Sequence, residues 1–230
     1  MSNRDDRYAE RMQLNYGDEE ISSTKYNMII AGVLFYGFIV NCFMVTFCYD
    51  IAASIAYNGI VFYLLYFVLV LAGSFMIHGS KNPVISFVGY NFIVLPLGIV
   101  LTVIINAYSS AGYQDIITTA FAITAIVTLA IMAISSVVPD FFLSMGRTLW
   151  ITLLVTVIVE LILMFLGAPL AILDYIVVAL FCCYIGYDWA RANRCAKTVD
   201  NAVDCASELY IDIINLFLRI LRILSRANRN

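Results

Sequence analysis

The chain has 230 residues, 63% of them hydrophobic and only 13% charged, with a mean hydropathy of +0.91. A soluble domain carries about 25% charged residues, so a water-facing globule is excluded. The net charge is −3 and its basic part is scattered, which excludes a nucleic-acid reader. The 29 charged residues (13 Lys and Arg, 16 Asp and Glu) crowd the two ends. Residues 1–25 hold ten and residues 187–230 hold twelve, leaving seven between.

The first 25 residues are polar, so no cleavable signal peptide of the usual form is expected, and the first apolar run is expected to act as its own insertion signal. A membrane helix needs about 20 mainly apolar residues to cross roughly 30 Å of hydrocarbon. Six stretches qualify: 27–49, 59–78, 84–107, 116–137, 148–167 and 170–187. They are continuous rather than alternating, which predicts helices and not barrel strands. The segments between them are Asp50 to Asn58, His78 to Pro83, Ser109 to Asp115, Pro139 to Arg147, and Gly167-Ala168-Pro169. With the amino terminus inside, Arg4, Arg7, Arg11, Lys25, Lys81, Arg147, Arg191, Arg194 and Lys197 all fall on the cytoplasmic side, and the opposite loops hold no Lys or Arg. That asymmetry predicts a cytoplasmic amino terminus.

The last segment is different. Lys197, Asp200, Asp204, Glu208, Asp212, Asn215, Arg219, Arg222 and Arg226 recur every three or four residues, which matches the turn of an α-helix. This predicts one helix with a polar stripe, acidic toward its start and basic toward its end, an order that complements the helix dipole. Periodicity admits two placements for it. It lies on the membrane surface with its stripe in water, or it is a seventh, spanning or re-entrant, segment whose stripe faces the protein interior.

Asp188 closes the sixth span in Tyr187-Asp188-Trp189, and Asp212 lies on the stripe, with residue 200 midway between them. If the chain doubles back there, each carboxylate lies about 18 Å from the apex and the two meet at one depth. Two carboxylates in a poorly hydrated place cannot both ionise cheaply, so they would share a proton. Spacing alone leaves a plainer reading open, in which Asp188 is a carboxylate at headgroup level and Asp212 a salt-bridge partner within the stripe.

Gly186-Tyr187-Asp188, a polar hairpin, Glu208-Leu209-Tyr210-Ile211-Asp212-Ile213-Ile214-Asn215-Leu216-Phe217-Leu218 and Leu221-Arg222 resemble the carboxyl-terminal signature of the Bax inhibitor motif family, the transmembrane Bax inhibitor or lifeguard group with its bacterial relatives. Gly89-Tyr90-Asn91 leading to Pro96-Leu97-Gly98 is similar to bacterial members. The resemblance implies an all-α integral membrane protein of seven transmembrane helices over residues 26–225, the last helix central and wrapped by the other six. A cytoplasmic segment, 1–25, would precede it and a short basic tail, 226–230, would follow. It further implies a pH-sensitive calcium leak gated by two aspartates, here Asp188 and Asp212. Relatives place a basic cluster with a latching arginine at the end of the second span. This chain offers His78 and Lys81 there, so the latch falls to Lys81 or to Arg191. An ammonium lacks the forked contact of a guanidinium.

Glu208, Asn215 and Glu160, the last well inside the fifth span, are candidate oxygen ligands along a cation path. A mid-membrane carboxylate must be protonated, paired or wetted. Asp50, Asp115 and Asp174 are read as solvated span ends, and Asn41, Asn91 and Asn106 as helix-to-helix glue. The six cysteines show no metal spacing. Gly-x-Ser-x-Gly, His-Glu-x-x-His and the Gly-x-Gly-Asp type of motif are absent, so no enzyme is expected. The expected partners are the lipid bilayer, calcium as permeant ion and protons, with no cofactor, no firmly bound metal and no nucleic acid. The expected location is a bacterial plasma membrane or, in a eukaryote, the endoplasmic reticulum. Two other functions compete: a non-conducting interaction protein of the membrane, and a proton-coupled transporter.

Overall fold

The computed structural model describes residues 19–228. The polar segment expected over 1–25 lies mostly outside that range, as do the last two residues of the basic tail. Among the described residues the secondary structure is helical throughout: α1 (Ser23–Phe47), α2 (Tyr49–Tyr57), α3 (Gly59–Gly79), α4 (Pro83–Ser110), α5 (Gln114–Val137), α6 (Pro139–Ser144), α7 (Gly146–Phe165), α8 (Ala171–Arg194) and α9 (Val199–Ala227). Six of them, α1, α3, α4, α5, α7 and α8, are long and apolar enough to cross a membrane. These coincide with the six expected spans.

Local sequence explains where they start and stop. Ser22 caps α1 by accepting from the Lys25 amide, and Asn82 caps α4 by accepting from Val84, with Pro83 at the first helical position. At the end of α7, Gly167 takes φ +64°, and the Gly167 and Ala168 amides donate to the Met164 and Leu163 carbonyls. That closes the helix as a glycine C-cap, and Pro169 prevents its continuation. Two connecting segments expected to be loops hold short helices instead, α2 and α6. Within a membrane or at its edge, backbone groups must find partners, and a helical turn supplies them locally. The sixth span also runs two turns past its expected end at residue 187, so Asp188 lies inside α8 rather than at its terminus.

The chain divides into two compact units. The first comprises residues up to Gly112 with Arg194–Ser207. Here α4 is the core helix, packed by α1, α2 and α3. α3 and α4 touch backbone to backbone: a Cβ on Gly73 would lie 2.5 Å from the Gly89 carbonyl oxygen, and one on Gly89 2.8 Å from that of Gly73. Small residues permit such close crossing in lipid. Asn91 accepts from the Tyr36 hydroxyl at 2.8 Å and Asn106 donates to the Val45 carbonyl at 3.1 Å, so both join α4 to α1 as expected. The opposite face of α3 exposes Ile60, Val61, Tyr63, Leu64, Phe67, Val68 and Phe75. A contiguous apolar face of that extent belongs in hydrocarbon.

The second unit comprises Tyr113–Asn193 with the residues from Glu208 onward. In it, α9 runs antiparallel beside α8 over the whole length of α8. Arg191 meets Glu208 near one end, and Asp174 meets Arg226 at the other. Each pair has its midpoint near residue 200, and residues 195–198 make the turn. α9 is buried on its apolar faces as well as along its stripe, with Leu209, Tyr210, Leu216 and Leu221 fully enclosed. A helix floating on the surface with its stripe in water is therefore not what this chain forms.

Candidate functional site

Asp188 on α8 and Asp212 on α9 are both buried, 7% and 5% exposed, and their carboxyl groups come within hydrogen-bonding reach of one another. Antiparallel pairing of two 3.6-residue helices from a common turn brings them to one level. The Asp188 carboxyl is the neighbouring acidic group that Asp212 meets across the hairpin. Arg191 stands one turn from Asp188, its Nη2 3.3 Å from Asp188 Oδ1, and pairs with Glu208 across the hairpin. One guanidinium thus serves two carboxyl groups, Asp188 and Glu208. Of the two candidate latches, Arg191 is the one brought to Asp188; Lys81 lies exposed on the loop between α3 and α4. Asn215, one turn further along the stripe, is half-buried and donates to the Ile211 carbonyl of its own helix at 2.8 Å.

A second ionic cluster forms at the far end of the α8–α9 pair. Arg219 grips Glu160 with both arms, Nη1 to Oε1 at 2.8 Å and Nη2 to Oε2 at 2.7 Å, and also donates to Asp174 at 2.9 Å. Arg222 and Arg226 reach Asp174 at 3.1 and 2.6 Å. Glu160, a candidate ion-path ligand, therefore has both oxygens engaged by a guanidinium, because two helical turns of α9 present arginines to it. Asp174 corrects the sequence reading outright. It is fully buried with three arginines around it, not a solvated span end. The register that pairs Asp188 with Asp212 also pairs Asp174 with Arg226, and that signal was available in the sequence.

Among the described residues, no group of three or more His, Cys, Asp or Glu side chains is arranged to hold a metal ion. The arrangement offers instead a carboxyl pair, a bridging arginine and a buried polar stripe on one helix.

The profile of the family described as "Inhibitor of apoptosis-promoting Bax1" matches residues 21–230. The chain belongs to that family. Membership in the Bax inhibitor family covers all six apolar helices and the α8–α9 hairpin, and the chain is a membrane protein. Two Helicobacter pylori proteins, from strains 26695 and J99 and each described as uncharacterized, are 37% identical over 83 residues. That stretch is 35% of this chain and 35% of each relative, so the likeness covers about a third of their length.

Proposed function

We propose that this Bax inhibitor family protein is a pH-sensitive leak for calcium, or for cations more broadly, controlled by the Asp188–Asp212 pair. One observation carries the reading: two carboxyl groups from opposite arms of the hairpin meet away from water. Fully ionised, Asp188, Asp212 and Glu208 would set three negative charges against the single positive charge of Arg191. Uncompensated buried charge is costly, so one proton shared between the aspartates relieves the site. Losing that proton makes the arms repel and changes how α9 sits on α8. The reading takes α9 as a seventh span, because it accompanies α8 along its whole length. Three of its terminal arginines are compensated by Glu160 and Asp174, which relieves the cost of placing them on the outer side of the membrane.

In this reading the amino terminus is cytoplasmic, calcium passes as cargo and no enzymatic step is involved. Arg191 acts as the latch. Glu208 and Asn215 supply oxygen atoms near the pair, which suit a hard cation. A bacterial plasma membrane is favoured by the bacterial relatives.

The test is calcium flux from loaded liposomes containing the purified protein. The leak should change with pH, and Asp212→Asn should leave a leak that no longer responds. No leak above protein-free liposomes at any pH would overturn the proposal in favour of a non-conducting interaction protein. Saturable exchange that requires a proton gradient would overturn it in favour of a transporter.

A further inference from the structure

The last turn of α5, the short helix α6 and the first residue of α7 hold α8 on both sides of Asp188. Ser135 Oγ donates to the Gly186 carbonyl at 2.6 Å, and Trp189 Nε1 donates to Ser136 Oγ at 2.8 Å. Phe142 of α6, 5% exposed, packs so closely on Gly186 that a Cβ there would lie 2.2 Å from the ring. Gly146, the first residue of α7, leaves room for the Tyr187 ring, 2.7 Å from where its own Cβ would stand. Gly186, Tyr187 and Trp189 are thus each held from the same short segment, and Asp188 is the member of the run left to face Asp212. Tyr187 extends the grip, since its ring lies 5.6 Å from the guanidinium carbon of Arg191, which bridges Asp188 and Glu208.

Nothing in the chemistry of proton sharing requires this segment, yet the proton affinity of a carboxyl pair depends steeply on separation and on water between the groups. We propose that residues Ser135–Gly146 form a positioning collar that sets the pH at which the Asp188–Asp212 pair releases its shared proton, with Phe142 and Tyr187 as the working contacts. This rests on the proton-sharing reading above and adds to it the element that tunes it. Among the described residues, Arg191 on α8 stands beside the pair and bridges Asp188 to Glu208 on α9, with the Tyr187 ring next to its guanidinium. Asp140 and Arg147, within or next to the collar, are exposed. The collar therefore acts by position rather than by adding a buried charge.

Leak from calcium-loaded liposomes, titrated against pH with the full chain, tests this. Phe142→Ala removes the weight on Gly186 and lets the Asp188 end of α8 move and hydrate, which weakens the repulsion that keeps the proton in place. Its midpoint should move about half a pH unit or more toward acid, with the maximal leak rate within about two-fold of wild type. Phe142→Leu should move it less. Phe141→Ala, on the same short helix but at a 61% exposed position, should keep the wild-type midpoint. If Phe142→Ala does not fold, Phe142→Leu carries the test through the direction of its shift. Wild-type midpoints for Phe142→Ala and Phe142→Leu, beside a pH-dependent wild type, would overturn the collar alone. A wild type whose leak ignores pH would overturn the proton-sharing reading, and the collar with it.

Discussion

Arg219 of α9 and Glu160 of α7 are 59 residues apart in the chain, yet they meet in a forked contact of 2.7 and 2.8 Å, and the same guanidinium reaches Asp174 on α8. Three helices are joined at one side chain. The charge balance there, three arginines against two carboxylates, means that each carboxylate compensates more than one cation. Asp174 bears most of this, being fully buried. Asp174→Asn should therefore destabilise by about 3–5 kcal/mol, the usual cost of stranding buried charge. Arg226→Met, at a 37% exposed partner, should cost roughly 1 kcal/mol or less. Thermal unfolding in detergent checks the order of the two. Equal losses would show that Asp174 is not the hub.

At the other cluster, Arg191→Ala leaves Asp188 and Glu208 without their shared cation and should cost about 3–5 kcal/mol. Arg191→Lys keeps the charge without the fork and should fall between wild type and Ala. Adding Glu208→Gln to Arg191→Ala removes one stranded charge, so the double variant should melt above the single one. A double variant that melts lower would contradict the pairing.

The α3–α4 crossing is tested by Gly73→Ala or Gly89→Ala. Each methyl group would meet the other residue's carbonyl oxygen, so the helices must part, at about 1–3 kcal/mol. Gly32→Ala, where nothing lies within 4 Å, should be neutral or slightly stabilising. The same melting series separates the two outcomes.

Lys197 sits in the turn between α8 and α9, its ammonium 4.4 Å from the centre of the Tyr26 ring, and burial holds its pKa below the ordinary lysine value. An amine whose folded pKa is lowered is disfavoured by the fold while protonated. That cost is present at neutral pH and fades as pH rises from the folded toward the unfolded value. Lys197→Met should thus melt at or above wild type at neutral pH, with the gap closing in the alkaline range. A variant that melts lower at neutral pH would show that the contact with Tyr26 outweighs desolvation.

Much of this architecture was legible along the chain. Six apolar runs became six helices because a 20-residue run without charge has one stable way to satisfy its backbone in lipid. Two short helices, α2 and α6, were not legible. Their residues carry no periodic signal longer than two turns, and their helicity comes from the need to pair backbone groups beside neighbouring helices.

By itself the sequence determined that this protein lives in a membrane, that its last segment is one helix with a continuous polar face, and that a turn near residue 200 would bring Asp188 level with Asp212. These are properties of spacing and hydropathy, which act locally. Only the tertiary structure decided that Arg191 bridges Asp188 and Glu208, and that Glu160 of α7 joins Asp174 among Arg219, Arg222 and Arg226. Such choices depend on the reach and direction of side chains across adjacent helices. A one-dimensional pattern carries the positions of charges but not the faces on which neighbouring helices receive them.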